Sequence, residues 1–252
     1  VNGYILIPLL QPLIICRIVR IILSEKPDIV WPSCDLIGLR VVNIVKRKNP
    51  CIKTFMELSE YLDIHHFNKG SLLSKKKEDK ILNLFEKQAF YNFDGVALMT
   101  KALYRYFDQF PKPGPKLFHL PMTVDLERFR EIKVVPNGFI RPYIVFVGSM
   151  NDTKEGISIL IKAFYQVKDI YPELKIYLVG PWHYDTPEHL RLIQELGMQD
   201  RVFWMGEYSR DDIPGILQNA ELLVLPRPDS RQAQGGFPTK LGEYLATGVP
   251  VC

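Results

Sequence analysis

The stretch GGFPTKLGEYLATGVPVC, residues 235–252, joins two glycines to a short apolar helix pattern that carries one acid. Gly235 and Gly236 permit close backbone approach, and Thr239 is placed to cap the helix, so a phosphate could rest against its first amides. Glu243 follows one turn later, and a carboxylate accepts two hydrogen bonds from a ribose diol. The stretch therefore suits a nucleoside diphosphate, although Glu243 alone also fits an ordinary exposed helical position.

A second polar stretch, VGSMNDTKEG (147–156), leaves an apolar run. Gly148 allows a tight turn, Ser149 offers a hydroxyl, and Lys154 offers a positive charge near the next helix start, where unpaired amides favour an anion. The stretch is neither G-x-G-x-x-G nor a P-loop, so by itself it also fits a solvated turn.

A third polar stretch, LPRPDSRQAQGG (225–236), precedes the glycines. Arg227 and Arg231 could neutralise a departing diphosphate, because arginine forms bidentate contacts with phosphate oxygens. A loop of this composition is equally suited to be a flexible cover.

Apolar runs and helical patterns alternate from residue 139 onward. Each run is continuously apolar, as in a strand buried on both faces, and is followed by a helical pattern. This alternation predicts a parallel doubly wound sheet with ligands at its carboxyl edge. Thr186 is the expected N-cap of one helix that ends before Gly197, and Ser209 and Asp212 are in capping-box register for the next. The strand candidates are YIVFV (143–147), KIYLV (175–179), RVFWM (201–205) and ELLVL (221–225), with GVPV starting another.

The first half repeats this pattern less cleanly. Helical stretches at 36–47 and 79–93 separate four strand candidates, DIVW (28–31), IKTF (52–55), VALMT (96–100) and KLFHL (116–120). Such a sheet usually has five or six strands, so both sheets are expected to be incomplete. Residues 121–142 lack periodicity and form the expected hinge, which gives domains 1–138 and 139–252.

Composition excludes several classes of protein. The 252 residues are 47% apolar, which excludes general disorder, and the four cysteines show no zinc or disulfide spacing, so a reducing, cytoplasmic setting is expected. YILIPLLQPLIICRIVRIIL (4–23) contains two prolines, a glutamine and two arginines, which disfavour a membrane span; its last half is predicted to be a packed helix. No signal-peptide pattern is present, and because the chain opens on Val1, an N-terminal part is expected to be missing.

The sequence lacks the motifs of several other kinds of active site. No Asp-x-Asp occurs to hold a metal-bound diphosphate, and no G-x-S-x-G nucleophile elbow is present. The pair His65–His66 lies in a polar stretch and does not indicate a metal site. No cofactor and no metal are therefore expected.

Charge is uneven along the chain, whose formal net charge is +4. Residues 1–138 carry 21 Lys and Arg against 14 Asp and Glu, whereas 139–252 carry 11 against 14. A basic first half is compatible with peripheral contact at the inner face of a membrane, although runs such as SKKKEDK (74–80) are usually solvated. No nucleic acid partner is expected.

At these residues the chain resembles a known family. The segment from RVFWMGEYSRDD to GEYLATGVPV is similar to the donor-binding segment of glycosyltransferase family 4, retaining enzymes of the GT-B fold. VGSMNDTKEGISILIKAF resembles the loop and helix after that domain's first strand. The later part of the family's acceptor domain resembles four upstream segments, KPDIVW, FMELSEYLD, DGVALMT and LPMTVDLERF. The last of these also resembles the junction between the family's two domains. The resemblance implies two Rossmann-like parallel-sheet domains facing a cleft.

The resemblance also implies roles for residues. Glu243 would hold the donor ribose, Lys154 the diphosphate, and backbone amides near Gly236 and Phe237 would share that contact. The residues expected to bind the donor are Gly148, Ser149, Lys154, Gly235, Gly236, Phe237, Thr239, Lys240 and Glu243. Those expected to act in catalysis are Lys154, Arg227 and Glu57.

Three positions depart from the family pattern. Gly235 stands where many members have a first glutamate that contacts the transferred sugar, and Ser149 stands where many have arginine. Met56 replaces a histidine close to the reacting sugar. Glu57 and Glu60 beside it either act on the acceptor or are ordinary polar residues.

The expected function is transfer of a sugar from a nucleoside diphosphate sugar to a hydroxyl of a glycan, lipid-linked or small-molecule acceptor. Transfer would retain anomeric configuration and need no metal. A GT-B nucleotide-sugar epimerase and a non-catalytic nucleotide-sugar-binding or scaffold protein remain open alternatives.

Overall fold

The computed structural model describes residues 3–33, 35–61, 83 and 85–252. The chain forms two compact units, one of Val1–Pro121 with Gln234–Phe237, the other of Met122–Ala233 with Pro238–Cys252. Cys34, the pair His65–His66 and the run 74–80 lie outside the described residues.

The division at Pro121 comes earlier than the predicted boundary after residue 138. Residues 122–138 pack on the second unit, since Phe129 is buried in its core. Gln218 Nε2 also donates hydrogen bonds to the carbonyl oxygens of Phe129 and Glu131, each at 3.0 Å. The expected hinge segment is thus largely part of the second unit.

The first unit contains a four-stranded parallel sheet in the order β1-β2-β3-β4. Its strands are β1 (Ile29–Val30), β2 (Lys53–Leu58), β3 (Gly95–Leu98) and β4 (Lys116–His119). β3 is buried along its whole length, as a strand covered on both faces must be. The four strand predictions are confirmed.

Helices of the first unit pack beside this sheet. The first, Gly3–Glu25, buries Ile15 and Val19 in one apolar cluster with Val41 and Val45 of the second helix. It runs through both prolines, whereas the sequence predicted only its last half; local propensity does not explain this. Among the described residues, no helix has the length and apolarity needed to cross a membrane.

The remaining helical elements of this unit are short. Residues 79–82 and 84 of the predicted helix 79–93 lie outside the described residues, and a π-helical turn and a 3₁₀ turn follow. The described elements are Leu36–Lys48, Phe85–Ala89, Phe90–Asn92 and Lys101–Asp108.

The second unit repeats the architecture with a parallel sheet in the order β7-β6-β5-β8. Its strands are β5 (Tyr143–Val147), β6 (Lys175–Val179), β7 (Val202–Gly206) and β8 (Leu222–Leu223), and Val251 adds a bridge to Leu223. Both predicted parallel-sheet α/β units are therefore confirmed.

Two helices of the second unit have N-cap residues other than the predicted ones. Asp185, not Thr186, is the N-cap residue of the helix that ends before Gly197, whose φ of +63° suits glycine. Ser209 and Asp212 bond to each other at 2.7 Å, but the helix starts only after them. The helices are Asp152–Glu155, Ile157–Val167, Thr186–Glu195, Ile213–Gln218, Arg231–Gly235 and Thr239–Ala246.

One buried tyrosine attaches the last helix to the first strand of this sheet. Tyr244 is fully buried, and its hydroxyl accepts a hydrogen bond from Val147 N at 2.8 Å. Val147 is the final residue of β5. The helix that carries Lys240 and Glu243 is thereby attached to the carboxyl end of β5.

Asp94 joins the amino ends of β2 and β3 in the first unit. Its carboxylate accepts from Lys46 Nζ at 2.7 Å, Thr54 N at 2.8 Å, Thr54 Oγ1 at 3.1 Å and Lys53 Nζ at 3.2 Å. Burial alone would raise the pKa of Asp94, but these hydrogen bonds outweigh it and lower the pKa well below its usual range. The ionised form is therefore stabilised in the folded unit.

Replacing Asp94 with asparagine should lower the free energy of unfolding by about 2 kcal/mol at pH 7, because charge-assisted hydrogen bonds are lost. A carboxyl with a lowered folded pKa stabilises above its unfolded pKa of about 4 and loses that stabilisation as pH falls. The difference from wild type should therefore shrink below about pH 4, as followed by urea unfolding. Asp108→Asn, in an exposed pair with Lys112, should change little. Equal effects of both variants would contradict the assignment.

Candidate active site

The carboxyl ends of β5 and β6 approach closely at two glycines. Gly148 N donates to Val179 O at 2.8 Å, and a side-chain carbon added at Gly180 would fall 1.8 Å from Gly148 O. Gly180 has a φ of +155°, which few other residues adopt. Gly148 thus lies at the sheet edge where parallel α/β sheets bind ligands.

The turn that carries Lys154 packs against the segment that carries Arg227. A side-chain carbon at Gly156, whose φ is +71°, would fall 1.9 Å from Pro226 O. Two of the three polar stretches predicted to meet at this edge therefore do meet within the second unit.

Lys240 brings the third stretch to the same place. Its ammonium group lies 2.7 Å from Glu155 Oε2 and 4.5 Å from the ring centroid of Phe146, a residue of β5. A side-chain carbon at Gly148 would fall 2.3 Å from Lys240 Nζ, so the glycine leaves the space that this cation occupies. Lys240 and Glu155 have only 15% and 5% of their side-chain surface exposed.

Positive charges act on one another around this pair. Burial lowers the pKa of Lys240; Glu155 opposes that effect, and the positive charges of Arg227 and Lys154 add to it. Lys154 and Arg227, which come from two other segments, are therefore close enough to repel the charge of Lys240. An anion that enters among them would relieve this repulsion, which is the electrostatic requirement of a diphosphate site.

Hydrogen bonds to two polar side chains hold the turn of Lys154. Asn151 Oδ1 accepts from Lys154 N at 2.8 Å, and Asp152 accepts from Ser158 N and Oγ at 2.7 and 2.8 Å. His189 Nε2 lies 3.2 Å from Asp152 Oδ1, and this hydrogen bond is the main reason that the pKa of Asp152 is well below its usual range. The turn is thus fixed before any ligand arrives.

Glu243 lies on the same helix as Lys240 and pairs with Arg128. Arg128 Nη1 donates to Glu243 Oε1, and Arg128 Nη2 donates to Arg210 O at 2.7 Å. The carboxylate of Glu243 keeps 33% of its side-chain surface exposed. Its position permits contact with a ligand.

Thr239 does not cap this helix as predicted. The helix begins at Thr239 itself, and Pro238 is the N-cap residue without a side-chain hydrogen bond. The extended backbone of Pro238, with φ −67° and ψ 116°, makes it the last non-helical residue. Thr239 thus occupies the first helical position.

Gly235, Gly236 and Phe237 belong to the first unit. Thr100 Oγ1 donates to Gly235 O at 2.7 Å, and a side-chain carbon at Gly235 would fall 2.3 Å from the Tyr61 ring. The ring therefore occupies the space that a side chain at Gly235 would need, which explains why glutamate is absent there. The contact of Gly235, Gly236 and Phe237 with the diphosphate stays a prediction.

Glu57 lies near the carboxyl end of β2 and is half-buried, whereas Met56 before it is fully buried in the core of the first unit. Met56 thus fills the core. Ser149 is half-buried beside Gly148. The side chain of Arg231 lies outside the described residues.

Sequence reasoning missed Glu155, Arg128 and the pair of Asp152 with His189. Glu155 is adjacent to the predicted Lys154, and Arg128 lies in the junction motif, but their partners are 85 and 115 residues away in the chain. Among the described residues, no three His, Cys, Asp or Glu side chains converge to hold a metal ion.

Replacing Glu155 with glutamine should destabilise the second unit by about 3 kcal/mol, because it leaves the Lys240 ammonium buried without its carboxylate. The double variant Glu155→Gln, Lys240→Met should lose less than the sum of the single losses. Glu195→Gln, in the exposed pair with Arg191, is the control and should change unfolding by less than about 0.5 kcal/mol. Additive losses in chemical unfolding would show that the pair is not coupled.

Comparison with known proteins agrees with this geometry. Residues 141–252 match the family described as glycosyl transferases group 1. TuaH of Bacillus subtilis (strain 168), provisionally named a teichuronic acid biosynthesis glycosyltransferase, is 26% identical over 189 residues, which are 73% of this chain and 45% of TuaH.

Solved structures share the fold. Sucrose-phosphate synthase from Thermosynechococcus elongatus superposes with a TM-score of 0.71 at 18% identity, over 96% of this chain and 59% of that one. HepE of Anabaena, solved with UDP and glucose, gives a TM-score of 0.69 at 18% identity, over 96% and 63%. The chain thus spans less than two thirds of each of these proteins. These findings agree with the resemblance: residues 141–252 match glycosyl transferases group 1, and the chain has the GT-B fold of these solved glycosyltransferases.

Proposed function

We propose that this chain is the main part of a glycosyltransferase that moves a sugar from a nucleoside diphosphate sugar to a hydroxyl acceptor, with retention and without a metal. The observation that carries the proposal is geometric: at the carboxyl edge of the second sheet the turn of Lys154 packs against the segment of Arg227, and Lys240 Nζ fills the space left at Gly148. These cations lie within the segment that matches glycosyl transferases group 1.

Each part of the donor has a proposed partner. The diphosphate contacts Lys154 and Arg227, with Lys240 behind them, while Gly148 and Ser149 line its approach. The ribose diol donates hydrogen bonds to Glu243, whose carboxylate is exposed enough to accept them. Backbone amides at Gly236 and Phe237 contribute further donors.

In this proposal, most of the rate enhancement comes from stabilising the negative charge on the leaving diphosphate. The bond between the sugar's anomeric carbon and the diphosphate oxygen breaks, and negative charge develops on the leaving diphosphate. The acceptor oxygen bonds to that carbon, and its hydroxyl proton passes to the leaving diphosphate oxygen. Cations that are already in place stabilise that charge without reorganising. Glu57, on the first unit, is the acid that we assign to contact with the acceptor hydroxyl.

The proposed setting is cytoplasmic, with the acceptor a glycan, a lipid-linked molecule or a small molecule. The basic first half is consistent with a lipid-linked acceptor at a membrane surface. The name of TuaH, which refers to teichuronic acid biosynthesis, supports a glycan product.

Calorimetric titration of the full-length protein with UDP, GDP, TDP and ADP tests the donor site. We expect one nucleotide to bind, with UDP the first candidate because HepE was solved with it. Glu243→Ala should weaken that binding at least about tenfold, since hydrogen bonds to a carboxylate are lost. Absence of binding by the folded full-length protein would remove the basis of the proposal, and binding without transfer to any acceptor would favour a non-catalytic role.

Lys154→Ala should lower kcat about a hundredfold with a smaller change in KM, because the charge that it supplies is needed most in the transition state. Lys162→Ala, an exposed lysine on the next helix, is the matched control and should keep wild-type kcat. Rates are measured by nucleotide release in the presence of EDTA, and proton NMR of the product reports the anomeric configuration. An unchanged kcat for Lys154→Ala would exclude the residue from the mechanism.

A further inference from the structure

Arg128 is a largely buried arginine that no part of the proposed mechanism uses. It lies in the 3₁₀ turn Leu126–Phe129, and 15% of its side-chain surface is exposed. Arg128 Nη2 donates to Arg210 O at 2.7 Å, and the guanidinium carbon lies 5.3 Å from the ring centroid of Phe129. The guanidinium group is thus held from two sides, and its Nη1 is a fixed donor.

That fixed donor meets only one oxygen of Glu243. Arg128 Nη1 donates to Oε1, and in the part of the chain that the structure describes, Glu243 takes part in no other side-chain hydrogen bond. Arginine and carboxylate often pair through two parallel hydrogen bonds, but here Nη2 is engaged by Arg210. Oε2 therefore keeps its full capacity to accept hydrogen bonds.

The guanidinium group is not fully satisfied by the protein. Arg128 Nε is buried and has no hydrogen-bond partner among the described residues. Most buried polar atoms have a hydrogen-bond partner, so the position of this guanidinium group is not set by hydrogen bonds to the protein at all of its donors. A residue that served only to attach the 3₁₀ turn to the helix would not need to contact a half-exposed carboxylate through one oxygen.

We propose that Arg128 is a positioning residue that fixes the plane of the Glu243 carboxylate for two vicinal hydroxyls of the donor nucleoside. This inference rests on the proposed function. A carboxylate held at one oxygen can still turn its second oxygen and its remaining lone pairs toward a diol. Without Arg128 the carboxylate turns freely, so its oxygens are no longer held in the orientation that the diol needs.

A titration that varies only the hydroxyls tests this role. UDP, GDP and ADP are each titrated beside their 2′,3′-dideoxy forms into the full-length wild-type protein and into Arg128→Gln. We expect wild type to prefer the ribose form of the nucleotide it binds by at least about tenfold. In Arg128→Gln this preference should fall to within about threefold, with little change for the dideoxy form.

Matched variants separate positioning from folding. Arg130→Gln, an exposed arginine two residues later that pairs with Glu127, should keep the full ribose preference. Arg128→Lys should keep part of the ribose preference, because lysine retains the positive charge but lacks the forked N–H donors of the guanidinium group. Glu243→Gln should lose the preference, and the double variant should lose no more, since both residues act on one contact.

Several outcomes would overturn the inference. Arg128→Gln could keep the preference, or it could weaken ribose and dideoxy forms equally, as a purely structural role would. Either result leaves the donor site intact and removes only the role of Arg128. Absence of nucleotide binding by wild type would instead remove the proposed function together with this inference.

Discussion

An ammonium group can be buried only beside a compensating charge, and the carboxyl edge of the second sheet is arranged around one such group, that of Lys240. Glu155 supplies the charge, the Phe146 ring lies below the cation, and Gly148 leaves room for it. These residues come from β5, from the turn after it and from the last helix. One buried pair therefore constrains residue types across the whole edge.

The buried pair also determines what its neighbours can do. Glu155 is already engaged by Lys240, whereas the positive charges of Lys154 and Arg227 act on Lys240 from two other segments. Lys154 stands on a turn that Asn151 and Asp152 hold through partly buried hydrogen bonds. A cation on a fixed turn costs no reorganisation when charge develops on a ligand, which is the condition for electrostatic catalysis. The contacts that stabilise this turn are thus the same ones that would hold Lys154 in place for the proposed function.

The sequence predicted the strands well and the charge pairs poorly, for a physical reason. Apolar runs such as YIVFV and KIYLV report burial locally, and each became a strand. The pairs Glu155–Lys240 and Arg128–Glu243 depend on how distant segments pack, which no local pattern contains. The cap at Thr239 was misplaced by one residue because Pro238 already provides the extended backbone that a cap requires. Gly235 could be explained only once Tyr61 was located beside it.

The two acids of the donor side differ in a way that separates structure from recognition. Glu155 is almost wholly buried, and it neutralises a cation that is as inaccessible as itself. Glu243 keeps a third of its side-chain surface exposed and gives one oxygen to an arginine that is itself held by a backbone carbonyl. An acid that is almost wholly buried beside a buried cation has no exposed surface left for a ligand. An acid that is fixed at one oxygen and open at the other has both the orientation and the acceptor capacity that a diol requires.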